Sequence, residues 1–99
     1  MSRRIRQLHN LKRYGLSQDD FDAMLEIQEY ACAICLETED RLRADGTEMP
    51  LSVDHCHRTE RDTGVIKVRG LLCARCNTAL GLFRDDPEAL RRAIDYLGY

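Results

Sequence analysis

The chain has 99 residues, 43% of them apolar, with 15 basic and 17 acidic side chains and a net charge of −2. This length predicts a single soluble domain over residues 1–99, with a core small enough for a metal crosslink to matter. No apolar run approaches the roughly 18 residues of a membrane span, and no apolar stretch follows the basic N-terminus as it would in a secretory signal. We therefore expect a cytoplasmic protein with no membrane partner.

Basic side chains are concentrated at the N-terminus and around the later motifs. Residues 1–14 form a basic segment without an acidic side chain, and a helix ended by Gly15 is expected over about residues 3–13. Such a segment suits contact with nucleic-acid phosphates, although a solvated surface has the same composition. The side chains that we expect to contact nucleic acid are Arg3, Arg4, Arg6, Lys12, Arg13, Arg69 and Arg75.

The first well-marked helix begins after Leu16. Ser17 can accept a backbone N–H as the N-cap, and Asp20 stands three residues later, as in a capping box. Leu16 and Phe21 are spaced to pack across this cap as a hydrophobic staple. An apolar stripe at helical spacing follows, so we predict a helix from about residue 18 to 29.

The middle of the chain is expected to form a β-hairpin. Residues 37–50 are charged and contain turn residues, so a loop is expected there. A short strand over residues 51–53 leads into the sequence Asp54-His55-Cys56-His57. Residues 58–64 have the composition of a hairpin loop, and the β-branched segment 65–68 is the expected second strand.

Two helices are expected after the hairpin. The first runs from about residue 74 to 83. The second has Asp86 as its cap and Pro87 at its first position, and it ends at Gly98. Its apolar side chains, expected to form a buried stripe, are Leu90, Ile94 and Leu97.

Four of the five cysteines form two Cys-x-x-Cys pairs, Cys32 with Cys35 and Cys73 with Cys76. Two intervening residues let a turn present both thiolates to one ion, and two pairs complete the closed tetrahedral shell of a structural zinc site. A disulfide scaffold would favour an even number of cysteines and a secretory signal, and a redox pair would favour a βαβ pattern. Zinc is therefore the expected ligand, and it can contribute on the order of 10 kcal/mol to folding.

A second group of side chains has the composition of a hydrolytic site. Asp54 and His55 are adjacent at the end of a strand, and Asn77 directly follows the last cysteine. Hydrolysis of a phosphodiester requires an activated water and a cation near the phosphate. His55 is the candidate general base, because imidazole exchanges protons near neutral pH. Asp54 and Asn77 offer oxygen ligands to Mg²⁺ or Mn²⁺, and His57 is placed to contact the phosphate or the metal. Asp-His-x-His by itself is more often a polar strand end, but its place between the two cysteine pairs, with Asn77 next to the last, favours the hydrolytic site.

The order of these motifs resembles that of the recombination endonuclease VII family, within the His-Me finger (HNH-like) nucleases. The resemblance rests on Cys-x-x-Cys, a strand, Asp-His-x-His, a hairpin, and Arg-Gly-Leu-Leu-Cys-x-x-Cys-Asn before a helix, over about residues 12–97. It implies an α+β fold, a small ββα-metal domain with a four-cysteine structural zinc site and flanking helices. It also implies a metal-dependent DNA endonuclease in a bacterial or phage-infected cell. His55 would be the general base, and Asp54 and Asn77 would bind the catalytic Mg²⁺ or Mn²⁺.

Two features depart from the family pattern. Cys56 stands where such proteins often have an acid between the two histidines. It is expected either as a small buried apolar side chain or as a partner of His57 in a second metal site. The chain also stops after the last predicted helix, whereas the well-studied resolvases of the family continue into an extension that dimerises and grips DNA junctions. We therefore expect a nicking or double-strand endonuclease, acting alone or with a protein partner.

The main alternative is a non-catalytic zinc module that binds DNA or protein, and a redox or metal-storage protein is the third. A zinc module accounts for the cysteines and the basic segment. It leaves Asp54, His55 and Asn77 without a role.

Overall fold

The computed structural model describes residues 11–38 and 51–98. Within them a two-stranded sheet is surrounded by helices, which confirms the predicted α+β class. The elements are helix α1 (Gln18–Ile27), strand β1 (Ser52–His55), helix α2 (His57–Thr63), strand β2 (Val68–Leu72), helix α3 (Ala74–Leu82) and helix α4 (Pro87–Leu97). A 3-10 turn at Lys12–Tyr14 precedes α1 and ends at Gly15, which adopts the left-handed conformation. Most of the helix expected over residues 3–13 lies outside the described residues, as do Arg3, Arg4, Arg6 and most of the loop expected over 37–50.

Helix α1 begins with the predicted capping box. The Ser17 hydroxyl accepts a hydrogen bond from the Asp20 backbone N–H at 3.0 Å, and the Asp20 carboxylate accepts one from the Ser17 N–H at 2.9 Å. These reciprocal bonds satisfy two donors that a helix start otherwise leaves unpaired. Phe21 and Leu25 then point into the core, where both are buried.

Strands β1 and β2 are antiparallel, and their pairing is irregular at one position. Asp54 pairs with Gly70, whereas the next residue, His55, pairs with Val68. Arg69 therefore has no partner in β1 and occupies the extra position of a bulge. A bulge redirects the side chain at the extra position, so it helps to set the direction of the Arg69 side chain.

The predicted hairpin loop over residues 58–64 is wrong, because this segment forms helix α2. The helix lacks an apolar stripe, so its sequence gives no helical periodicity, but Gly64 ends it in the left-handed conformation and donates its N–H to Glu60. The second strand was predicted over residues 65–68, but it lies later in the chain, at Val68–Leu72. Pairing with β1 begins only at Val68, and Val65 is 58% exposed.

The core lies between α1, the sheet and the start of α3. Its buried side chains are Phe21, Leu25, Cys32, Leu51, Leu71, Leu72 and Cys73. The amide side chain of Gln28, just past the end of α1, bonds to both backbone groups of Leu71: its Oε1 accepts the Leu71 N–H and its Nε2 donates to the Leu71 carbonyl, each at 2.9 Å. Gln28 thereby joins α1 to the middle of β2.

Helix α4 has the predicted ends but not the predicted burial. Asp86 accepts the Glu88 N–H as its N-cap, Pro87 is the first helical residue, and Gly98 is the left-handed C-cap. The expected buried stripe is wrong at Ile94 and Leu97, which are 62% and 64% exposed, whereas Leu90 is half-buried. Helical spacing shows only that apolar side chains share a face, and it does not state how much of that face other residues cover. Among the described residues, no helix has the length and apolar character that a membrane crossing requires.

Candidate functional site

The four cysteines of the two Cys-x-x-Cys pairs converge on one point. The sulfur atoms of Cys32, Cys35, Cys73 and Cys76 all lie within 4.8 Å of one another. The sulfurs of Cys35 and Cys73 are 3.9 Å apart, near the separation of about 3.8 Å that tetrahedral zinc with 2.3 Å bonds imposes. The cluster is therefore compatible with the predicted zinc site, and it ties the segment after α1 to the start of α3.

Backbone N–H groups stabilise negative charge on this cluster. The Ile34 N–H donates to the sulfur of Cys32 and the Cys76 N–H to that of Cys73, each at 3.4 Å. Burial opposes ionisation of Cys32, but the backbone hydrogen bonds outweigh it and lower the pKa of this thiol to about 6. Burial and the neighbouring sulfurs raise the pKa of Cys76. A cation such as zinc would neutralise the negative charge of thiolates gathered at this point.

Asp54 lies at the end of β1, where it is buried and paired with Arg69. Nε of Arg69 donates to one carboxylate oxygen at 2.7 Å, and a terminal nitrogen donates to the other at 3.1 Å. The hydrogen bond to Asp54 raises the pKa of Arg69 despite the partial burial of the guanidinium. The bulge thus turns Arg69 onto Asp54, at the wall of a cavity of about 250 Å³ that is otherwise lined mostly by apolar side chains.

His55 is buried beside Asp54 and is held by a carboxylate that the sequence analysis did not single out. Its Nε2 lies 2.5 Å from an oxygen of Glu60, one turn into α2. The ring also contacts two aromatic neighbours, with centroid distances of 5.5 Å to Tyr14 and 4.5 Å to His57. A histidine held through one ring nitrogen has a fixed orientation, which proton transfer from a defined atom requires.

His57, the first residue of α2, is held by a second carboxylate. Its Nδ1 lies 2.5 Å from an oxygen of Asp85, although the side chain is 56% exposed. Asp85 also accepts a hydrogen bond from Arg69 at 3.1 Å. Hydrogen bonds thus join the predicted residues Asp54, Arg69 and His57 through Asp85.

The profile of the recombination endonuclease VII family matches residues 7–99 of the chain. The chain belongs to this family. Among curated proteins it is similar to the Gene 59 proteins of Mycobacterium phage D29, at 46% identity over 88 residues, and of Mycobacterium phage L5, at 43% identity over 88 residues. Each alignment covers 88% of this chain and 46% of the relative, so the chain spans about half the length of these relatives. No solved structure gives a significant match.

The remaining predicted site residues of this endonuclease VII family member lie outside the hydrogen-bonded group of Asp54, Arg69, Asp85 and His57. Asn77 is exposed on α3, one residue past Cys76, and its approach to Asp54 stays a prediction. Arg75 pairs with Glu37 at 2.8 Å, and Arg13 lies 3.6 Å from Glu60. Both arginines thus have acidic partners at the surface, where ion pairs contribute little to stability.

Cys56 is neither fully buried nor grouped with the four clustered cysteines. Its sulfur accepts a hydrogen bond from the Thr59 hydroxyl at 3.2 Å, and this bond lowers the pKa of the thiol. Cys56 was expected as a buried apolar side chain, but it is only partly buried and its sulfur is hydrogen-bonded. Cys56 occupies the N-cap position of α2, but its side chain makes no capping hydrogen bond there.

Sequence reasoning missed the two carboxylates that hold the histidines. Glu60 belongs to a segment predicted as a loop, and Asp85 stands in a charged turn before the cap of α4. Neither has a motif spacing that relates it to a histidine. The sequence indicated only that each predicted site histidine needs a hydrogen-bond partner. It did not indicate which residue that partner is.

Proposed function

We propose that this domain hydrolyses DNA phosphodiester bonds as a metal-dependent endonuclease, with His55 as the general base. The observation that carries the proposal is the arrangement at the end of β1. There Asp54 and His55 are consecutive buried residues, and Arg69 binds the carboxylate of Asp54 while Glu60 binds the imidazole of His55. Membership of the endonuclease VII family supports the same class of reaction. Phage relatives support action inside an infected bacterial cell.

His55 would take a proton from the attacking water. An ionised carboxylate can only accept hydrogen bonds, so Nε2 of His55 would carry the proton in a pair with ionised Glu60. The lone pair at Nδ1 is then available to the water, and the charge of Glu60 stabilises the imidazolium that results. Burial of His55, whose ring lies against that of Tyr14, limits competition from bulk water.

Asp54 and Asn77 would hold one Mg²⁺ or Mn²⁺, because carboxylate and amide oxygens are the donors that these cations prefer. The ion would supply positive charge beside the phosphate. Arg69 keeps the Asp54 carboxylate oriented, and it would share that carboxylate with the cation. The zinc cluster next to Asn77 would fix the start of α3 relative to β1.

Further phosphate contacts would come from the basic side chains. We assign this role to Arg3, Arg4, Arg6, Lys12, Arg13, Arg69 and Arg75, with His57 at the scissile phosphate. Such contacts position the backbone of DNA without reading its sequence.

The second candidate is a non-catalytic zinc module that binds DNA or protein. One observation favours it: both oxygens of Asp54 are engaged by Arg69, as in a buried structural ion pair. Such a module needs neither a catalytic cation nor a general base.

The test is cleavage of supercoiled plasmid by the zinc-loaded protein with Mg²⁺, with Mn²⁺ and with EDTA. We expect nicked or linear product only with the added cation. His55→Ala should slow single-turnover cleavage by at least about a hundredfold, the usual contribution of a general base, while zinc content and DNA affinity stay unchanged.

Two outcomes would contradict the proposal. Equal cleavage in EDTA and in Mg²⁺ removes the catalytic cation, and wild-type rates in folded His55→Ala remove the base. Binding of DNA without any cleavage favours the zinc module.

A further inference from the structure

The turn between α3 and α4 brings an acidic side chain back to the site. Arg84 and Asp85 both adopt the left-handed conformation, with φ of 55°. The Asp85 N–H donates to the Leu80 carbonyl at 2.9 Å, which ends α3 and reverses the chain. Asp85 therefore lies beside β2 and α2 instead of continuing the helix.

Asp85 makes two contacts through one oxygen. That oxygen lies 2.5 Å from Nδ1 of His57 and 3.1 Å from a guanidinium nitrogen of Arg69, which in turn binds both oxygens of Asp54. The other oxygen of Asp85 is buried without a hydrogen-bond partner among the described residues. The carboxylate is thus committed to His57 and Arg69.

Charge supports the same assignment. Burial alone would raise the pKa of Asp85, but the hydrogen bond from His57 and the positive charge of Arg69 outweigh it, so the pKa is lowered. An ionised Asp85 accepts a proton-bearing Nδ1 and leaves Nε2 of His57 for another contact. In the same way, a carboxylate behind an imidazole fixes its tautomer in hydrolytic sites.

We propose that Asp85 is a positioning residue, which orients His57 toward the DNA phosphate and holds Arg69 against Asp54. The inference rests on the proposed function for its consequence in catalysis. Its structural part concerns only Asp85, His57 and Arg69, and can be tested without cleavage.

The experiment compares Asp85→Ala and Asp85→Asn with the wild-type protein, all loaded with zinc. Asp95→Ala is the matched control, because it removes an exposed acid from α4 away from these contacts. Two-dimensional nitrogen–proton NMR reports which nitrogen of His57 carries the proton. Affinity for a short DNA duplex and single-turnover cleavage are then measured on the same samples.

We expect Asp85→Ala to shift the His57 proton from Nδ1 toward Nε2 and to weaken DNA binding. Cleavage should fall by about tenfold or more, since misplacing a contact by an ångström can cost up to about a hundredfold. Asp85→Asn keeps an acceptor oxygen and should recover part of both effects. If Asp85→Ala does not fold, Asp85→Asn alone should still show a smaller change in the same direction.

A His57 nitrogen pattern unchanged in the Asp85 variants would overturn the proposal. So would a changed pattern with wild-type DNA affinity and cleavage. In a His57→Ala background, the further change Asp85→Ala should cost less than it does in the wild-type protein, and an equal cost would show that Asp85 does not act through His57. If the wild-type protein binds DNA but never cleaves it, the proposed function fails, and the NMR pattern and DNA affinity still decide the role of Asp85.

Discussion

Replacing Gln28 with alanine tests how the hairpin that carries the site is held to helix α1. The Gln28 amide makes three hydrogen bonds to the backbone: Nε2 donates to the carbonyls of Ala31 and Leu71, and Oε1 accepts the Leu71 N–H. Leu71 is fully buried. Alanine removes all three bonds and offers no replacement.

The cost can be worked from those partners. The Leu71 carbonyl keeps a hydrogen bond from the Ala33 N–H at 3.1 Å, but the Leu71 N–H loses the partner that Gln28 supplies. Leaving one buried donor unpaired costs about 1–3 kcal/mol, and the lost bond to the Ala31 carbonyl is worth about 1 kcal/mol; the Leu71 carbonyl, still bonded to Ala33, adds no further cost. We expect Gln28→Ala to lower the free energy of unfolding by about 2–4 kcal/mol, a large part of the 5–15 kcal/mol typical of a domain.

Urea unfolding in the presence of zinc, followed by far-ultraviolet circular dichroism, measures this change. Gln18→Ala is the matched control on the same helix, because the Gln18 side chain bonds to another side chain of α1, that of Asp22. The control should shift stability by less than about 0.5 kcal/mol. A loss for Gln28→Ala no larger than that of the control would refute the reasoning.

The remaining predictions concern the zinc cluster and the basic segment. Freshly purified protein should carry one zinc per chain, and elemental analysis finding less than about half an equivalent would count against the site. Cys73→Ser should unfold the domain rather than only slow cleavage, because Cys73 is both a cluster residue and the N-cap of α3; a folded variant with wild-type stability would contradict this. Deleting residues 1–13 should weaken DNA binding and flatten the dependence of affinity on salt, and an unchanged salt slope would show that this segment contacts no phosphate.

The features that could be predicted from the sequence are those specified by a few neighbouring residues. Ser17 and Asp20 define the start of α1, and Asp86 with Pro87 defines the start of α4, because capping depends on local backbone geometry. The cysteine pairs belong to the same class, since two intervening residues suffice to present two sulfurs to one ion. Motif order extended this reasoning to the family, which the profile match confirms.

The features that could not be predicted depend on partners distant in the sequence. The register of β2 is fixed by β1 and by Gln28, so β-branched content alone placed the strand too early. Helix α2 has no apolar face, but contacts from Glu60 to His55 and from His57 to Asp85 hold it in place. The exposure of α4 likewise depends on what packs against it, which helical periodicity does not state.

The contacts at Leu71 also affect whether a strand of another chain can pair with this sheet. A two-stranded sheet has outer edges whose unpaired N–H and C=O groups can template the addition of a foreign strand. On the outer edge of β2, the Gln28 side chain hydrogen-bonds to both the N–H and the C=O of Leu71, and the Ala33 N–H donates to the same C=O. The Gln28 side chain and the backbone of Ala33 therefore occupy the positions that an added strand would use at Leu71. This protects the edge from aggregation by β-sheet extension.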